Sequence, residues 1–146
     1  GPGNCGALRL GGGGADVYVD NLKYGYRGRL AVGTVVDTEP GNMSGPTRTG
    51  VRFCLDSCPH SPPCTIDHWE RGCPRILILP VCSLYEADAT GVTRVRIEGF
   101  AAFLVEDLPG SGNECLIRGR FIRTVKAGEG GPGQPYFGVS VVRLKA

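Results

Sequence analysis

The chain has almost no excess of charge of either sign and no long apolar run. Its 16 Lys and Arg residues nearly balance 14 Asp and Glu residues, which leaves a formal net charge of +2. So weak a bias gives no indication of nucleic-acid binding. Every apolar stretch is shorter than the roughly 18–20 residues of a membrane-spanning helix, and no signal peptide is recognisable. We therefore expect a soluble, folded chain.

Motifs of phosphate chemistry are also missing. There is no Walker lysine and no GxGxxG, and no strand–helix–strand context surrounds the glycines. The turn between Pro40 and Thr47 would place backbone N–H groups at a helix N-terminus, where anions can bind. Without those motifs we interpret it as a structural capping turn that joins a strand to a helix. Its key residues are Gly41, Asn42, Gly45 and Pro46.

Glycine and proline, in contrast, are abundant. The 146 residues include 24 Gly and 11 Pro, while 41% are hydrophobic, as in ordinary folded proteins. Much of the glycine lies in two patches, 11–14 and 128–133. We predict a Gly-rich lead over residues 1–14 and one β-rich domain over 15–146. Because Gly1-Pro2 is a common remnant of tag removal, we expect a fragment of a longer protein.

Seven cysteines are the second abundant feature. They are Cys5, Cys54, Cys58, Cys64, Cys73, Cys82 and Cys115. In an oxidising compartment such a set predicts a disulfide framework, and all seven are candidates for it. Because seven is odd, at least one thiol would stay unpaired in the chain. Many pairings are possible, so the sequence does not determine the connectivity.

A zinc site is the alternative interpretation of the same region, because thiolates and imidazoles are the ligands that zinc prefers. The candidate ligands are Cys54, Cys58, Cys64, Cys73, His60 and His68. Their spacing matches paired zinc knuckles only in the first pair, so we predict no metal as the first choice. Reduced structural cysteines are the third possibility. A Cys–His nucleophile within this loop is conceivable, but exposed loop histidines are the simpler interpretation.

Hydrophobic periodicity predicts two short helices and several strands. Helices are expected over 16–24 and from Gly45 or Pro46 to Cys58, where Pro59 ends the second. Strands are expected at 29–38, 75–82, 92–105, 114–125 and around 137–141. The predicted fold class is mainly β (α+β): a small antiparallel sheet or barrel-like domain with one or two short helices and a disulfide-rich loop.

Arginines recur at alternate positions of two predicted strands. They are Arg94, Arg96, Arg118 and Arg120. If they share the solvent face of neighbouring strands, they are candidates for binding a polyanion. Glutamates near them in the sequence favour a mixed, solvated face instead.

The chain resembles a family of exported bacterial proteins. Five strings carry the resemblance and occur in this order: GNCGALRLGGGG, DNLKYGYRGRLAVGTVVDTEPGNMSGPTRTGV, CPRILILPV, VRIEGFAAFLVED and IRGRFIRTV. The series, which covers about residues 3–144, is similar to the extracytoplasmic region of TadE/TadG-like proteins of the tight-adherence (Flp) pilus system. PGNMSGPT and GFAAF are its most specific parts. The resemblance carries over no catalytic residue.

The resemblance implies an extracytoplasmic domain whose full-length protein is anchored by an N-terminal hydrophobic helix. We expect a non-enzymatic domain of a pilus-assembly or minor-pilin-like protein, without a cofactor, that packs against other pilus or envelope proteins. It implies no specific nucleic-acid partner. The alternatives are an adhesin or polyanion-binding module that uses the arginine-bearing strands and a cysteine-dependent hydrolase or self-processing domain.

Overall fold

The computed structural model describes residues 6–87, 93–111, 113–126, 136–139 and 143. The elements of these residues follow in the order α1 (Ala15–Tyr24), β1 (Val35–Asp37), α2 (Ser44–Asp56), β2 (Ile76–Ala87), β3 (Thr93–Asp107), β4 (Arg118–Lys126) and β5 (Tyr136–Val139). The mainly β fold with two short helices is confirmed. Among the described residues, no helix has the length and apolarity needed to cross a bilayer.

The strands form one antiparallel sheet around β3. The strand order is β1-β3-β2-β5, and β4 also pairs with β3. Strand β3 pairs with β1 near its start and with β4 over its second half, while β2 runs along its other edge. The β2–β3 register shifts between Val81 and Cys82, opposite Gly99 and Ile97, which marks a β-bulge. No pairing between described strands closes the sheet, which is open and not a barrel.

Helix α1 takes its N-terminal partner from a distant part of the chain. Gly14 at its N-cap has no side chain, and the carboxylate of Glu39, which is buried, accepts a hydrogen bond from the Gly14 N–H at 3.2 Å. Asp16 lies inside the first turn, where its charge suits the helix dipole. Gly25 ends the helix at φ 84° and donates its N–H to the Asn21 carbonyl.

Helix α2 begins at the PGNMSGPT turn. The Asn42 side chain accepts the N–H of Ser44 at 2.9 Å, so the helix starts one residue before the predicted Gly45. Gly41 enables the turn with φ 83°. The buried face carries Val51, Cys54 and Leu55, whose spacing places them on one side of the helix. The predicted helix is two residues too long, because it ends at Asp56.

The N-terminal segment belongs to the packed structure. Leu8 bridges to Thr38, and the N–H of Arg9 donates to the Asp37 carbonyl at 2.9 Å. Ala7 and Leu8 are 1% and 0% exposed and belong to two different apolar clusters. The described part of the Gly-rich lead, residues 6–14, contains no helix or strand beyond this isolated bridge, but its apolar side chains contribute to the core.

Strand β1 is much shorter than the predicted strand over 29–38. The backbone turns just before it, where Gly33 has φ 90° and the Thr34 N–H donates to the Ala31 carbonyl at 3.1 Å. Gly33 and Thr34 still exchange backbone hydrogen bonds with Ile97 of β3, but the regular strand ladder covers residues 35–37 alone among the described residues. Alternation of apolar residues does not reveal such a turn.

Candidate metal centre

The long connection between α2 and β2 folds into a small, tight loop. It leaves α2 just before Cys58 and enters β2 just after Cys73. Midway, Thr65 and His68 exchange two backbone hydrogen bonds, of 2.8 and 3.2 Å. The Cys73 N–H then donates to the Glu70 carbonyl at 3.1 Å. These turns bring both ends of the connection to one place.

Four side chains converge at that place. The thiols of Cys58, Cys64 and Cys73 and one ring nitrogen of His60 all lie within 4.8 Å of one another. The Nδ1 atom of His60 is 3.6 Å from the Cys58 sulfur and 3.3 Å from the Cys64 sulfur. In a tetrahedral zinc site, Zn–S bonds of about 2.3 Å and a Zn–N bond of about 2.0 Å place N and S about 3.5 Å apart. The observed distances fit that geometry.

The cluster of three thiols and one imidazole packs against the sheet. Cys64 and Cys73 are 2% and 1% exposed and pack against Leu104 of β3, with Ile76 and Ile122 beside them. A water molecule or substrate could therefore approach only from the side of Cys58 and His60, which are partly exposed. Closed sites of this type are typical of structural zinc.

The local electrostatics favour a thiolate at the start of the loop. Burial raises the pKa of the Cys58 thiol, but hydrogen bonds from the backbone of Cys64 and His60 outweigh this and lower it from 9.0 to about 6. Backbone N–H groups that donate to sulfur stabilise its charged form. For Cys73, burial raises the pKa to about 12, and the neighbouring thiols add to this shift. A thiolate at Cys58 is therefore favoured without a metal, whereas ionisation of Cys73 needs a nearby cation.

A carboxylate completes the arrangement. The Nε2 atom of His60 lies 2.7 Å from a carboxylate oxygen of Glu70, on the side of the ring away from the thiols. No motif in the sequence assigns a role to Glu70. A sequence feature that could predict this role is the position of Glu70 three residues before Cys73. The turn between them is closed by the hydrogen bond from the Cys73 N–H to the Glu70 carbonyl.

Arg75 connects the loop to its surroundings. Its Nε donates to the carbonyl of Leu55 in α2 at 3.0 Å, and a terminal nitrogen donates to the carbonyl of Cys64 at 3.4 Å. Its own carbonyl accepts the N–H of Val105 at 2.9 Å. One residue thus joins the helix end, the loop and the sheet.

The predicted disulfide framework is wrong for five of the seven cysteines. Cys54, Cys58, Cys64, Cys73 and Cys82 are not in disulfide bonds. Three of these thiols converge with an imidazole instead of pairing, and the other two are buried in the apolar clusters. Cys115 is disulfide-bonded, and Cys5 lies outside the described residues. A disulfide-rich loop is therefore absent from residues 54–73.

Two of the six alternative zinc ligands lie elsewhere. Cys54 is buried between the helices, where its thiol donates to the Leu22 carbonyl at 3.0 Å. Burial raises the pKa of this thiol, so it stays protonated. His68 is exposed in the Thr65–His68 turn. The remaining four candidates are the ones that the structure brings together.

The four arginines do not form one patch. Arg94 and Arg96 lie at the start of β3, whereas Arg118 and Arg120 pair opposite its end, at Asp107 and Leu104. Each contacts an acidic or aromatic side chain: Arg94 contacts Asp37 and Glu86, Arg96 the Tyr85 ring, Arg118 Asp107 and Arg120 Glu106. The arginines therefore lie on a mixed, solvated surface with acidic neighbours, which is the alternative to a polyanion-binding face.

Known proteins offer no further guidance to the site. No family model, no curated protein and no solved structure matches the chain. The resemblance to TadE/TadG-like proteins therefore stays a prediction, and the geometry of the site carries the argument.

Proposed function

We propose that this protein is a zinc-binding domain in which one Zn²⁺ is held by Cys58, His60, Cys64 and Cys73. The observation that carries the proposal is the convergence of their four ligand atoms within 4.8 Å. Three soft sulfur donors and one imidazole favour zinc over magnesium or calcium, which prefer oxygen. In this proposal the zinc has a structural role.

The burial and number of the ligands support the structural role. Catalytic zinc sites have three protein ligands and leave one position for water or substrate. Here four protein ligands would fill a tetrahedral shell, and two of them are buried against β3. The ion would join the end of α2 to the beginning of β2. A non-enzymatic binding domain with a rigid loop is the function that fits such a site.

Cobalt substitution tests the proposal directly. Co²⁺ bound by three thiolates and an imidazole in a tetrahedron should give strong visible absorption with sulfur charge-transfer bands, and equimolar Zn²⁺ should abolish it. Cys64→Ser and Cys73→Ser should lose stoichiometric binding. Cys54→Ser and His68→Ala are matched controls from the same region and should bind like wild type. Absent binding by wild type, or equal loss in the controls, would refute the metal site.

A cysteine nucleophile is the second candidate, and a specific observation favours it. Cys58 has a pKa lowered to about 6 by backbone hydrogen bonds that outweigh its burial. His60 lies beside it, and Glu70 contacts the other ring nitrogen. A thiol, an imidazole and a carboxylate in this order are also the parts of a nucleophilic triad. Alkylation with iodoacetamide at neutral pH separates the two: zinc should protect Cys58 in the first proposal, whereas a nucleophile reacts whether or not zinc is added.

At the level of the cell, we propose that the domain packs against other envelope or pilus proteins, as the resemblance to TadE/TadG-like proteins implies. Exposed aromatic side chains on the helices support a packing role, since Tyr24 and Phe53 are 54% and 37% exposed and form an edge-to-face pair. The full reading frame and its neighbours test this. An N-terminal hydrophobic helix beside pilus-assembly genes is expected, and a gene without either would contradict it.

A further inference from the structure

We propose that Glu70 is a positioning residue that holds the His60 ring so that Nδ1, and not Nε2, binds the metal. The inference deepens the proposed zinc site and rests on it. It assigns a role to a carboxylate that is not itself among the four converging ligands.

The two ring nitrogens of His60 face different partners. Nδ1 is 3.6 and 3.3 Å from the sulfurs of Cys58 and Cys64, while Nε2 is 2.7 Å from the Glu70 carboxylate. A neutral imidazole carries one proton, and a carboxylate can only accept it. The proton therefore belongs on Nε2, which leaves the lone pair of Nδ1 directed at the thiols. Metal-binding histidines typically donate their second ring N–H in this way.

The backbone determines the position of Glu70. The turn in which the Cys73 N–H donates to the Glu70 carbonyl places Glu70 three residues before a ligand. The paired Thr65 and His68 bring the chain back toward His60. Because the same turn positions both Glu70 and Cys73, the carboxylate and the sulfur keep a common geometry relative to the His60 ring.

The hydrogen bond between Glu70 and His60 should be stronger when the metal is bound than when it is absent. Its side chain is 57% exposed and that of His60 is 24% exposed, and ion pairs in such exposed positions contribute little to stability by themselves. A metal on Nδ1 withdraws electron density from the ring and makes the Nε2 proton a better donor, so the hydrogen bond strengthens when the metal is bound. Glu70 should thus change metal affinity more than the stability of the metal-free protein.

The test compares Glu70→Ala and Glu70→Gln with Asp67→Asn, measured as zinc affinity in competition with a chelating dye. Asp67 is an exposed carboxylate in the same loop, for which the structure shows no ion pair or hydrogen bond within its described part. Loss of the carboxylate should weaken zinc binding by about 10- to 100-fold in Glu70→Ala. Glu70→Gln keeps an oxygen acceptor, so its zinc affinity should lie between those of Glu70→Ala and the wild type. Asp67→Asn should bind zinc like the wild type. Thermal unfolding in excess chelator should be equal for all four proteins.

Nitrogen NMR of the zinc-bound wild type shows which ring nitrogen of His60 is protonated and which one binds the metal. A purely structural role of Glu70 would not determine this. The expected spectrum shows a protonated Nε2 and a metal-shifted Nδ1 for His60. Wild-type affinity in Glu70→Ala, a metal on Nε2, or an equal loss in Asp67→Asn would overturn the inference while the zinc site stands. If the wild type itself binds no zinc, the proposed function fails first, and the variants would then not differ.

Discussion

At the residue scale, Gly50 shows how closely the two helices approach each other. A Cβ atom at Gly50 would lie 2.5 Å from the Cβ of Leu22, which is itself fully buried in α1. The absence of a side chain at this point allows α2 to lie against α1. Tyr18 and Thr47 join the same two helices through a hydrogen bond of 2.8 Å between their hydroxyl groups. Burial raises the pKa of Tyr18 well above its usual value, so this phenol keeps its proton.

Gly50→Ala should therefore destabilise the protein, although alanine favours helices. The gain in helix propensity of about 0.5–1 kcal/mol is smaller than the cost of overpacking a core contact, about 1–3 kcal/mol. We expect the free energy of unfolding, measured with urea, to fall by about 1 kcal/mol, the difference between the two effects. Gly45→Ala is the matched control, because a Cβ there meets nothing within 4 Å. Equal stability of the two variants would contradict the close approach.

At the scale of elements, the sequence predicts what local periodicity controls. The buried stripe of α2 and its start near PGNMSGPT follow from residues a few positions apart, and the Asn42 side chain accepts the Ser44 N–H just before the helix. Strands β2 and β3 are predicted for the same reason, although β2 continues to Ala87, beyond the predicted end at residue 82. The predicted strand over 29–38 is longer than β1, because the turn at Gly33 depends on pairing with a strand about 60 residues later. The cap of α1 was missed because Glu39 comes from another segment.

At the scale of the whole molecule, the candidate metal centre adds a third connection between the end of α2 and the start of β2, beside the Arg75 hydrogen bonds and the packing of Leu55 with Leu77 in one apolar cluster. The four ligands connect the end of α2 to the beginning of β2, and the sheet beneath contributes Leu104 and Ile122. A ligand that binds only the folded chain stabilises it by about 4 kcal/mol when its concentration is a thousand times its dissociation constant. The metal should therefore affect the stability of the entire domain.

Removal of the metal should lower the melting temperature of the wild type by about 10 °C, at about 2–4 °C for each kcal/mol in a domain of this size. Calorimetry with excess Zn²⁺ and with excess chelator measures the difference. Cys64→Ser should melt at the low temperature in both conditions, whereas His68→Ala should respond like the wild type. An equal wild-type melting temperature with excess Zn²⁺ and with excess chelator would contradict a structural metal.

The site itself could be only partly predicted from the sequence. Residue types pointed to zinc as an alternative, and four of the six named ligands converge. Cys54 was included because it lies close to Cys58 in sequence, but the helix directs it toward Leu22. His68 was included for its residue type, and the turn with Thr65 leaves it exposed. The choice between thiols that pair with each other and thiols that gather around an ion depends on three-dimensional directions that spacing does not contain.

The short separation of the ligands has a consequence for the order of folding. All four lie within residues 58–73, and closing so short a loop costs little conformational entropy compared with aligning β3 on β1 and β4. During synthesis this segment emerges before any residue of β3. If the proposed site binds zinc, the ion could bind these four residues during synthesis, before β3 is available to pair with β1 and β4.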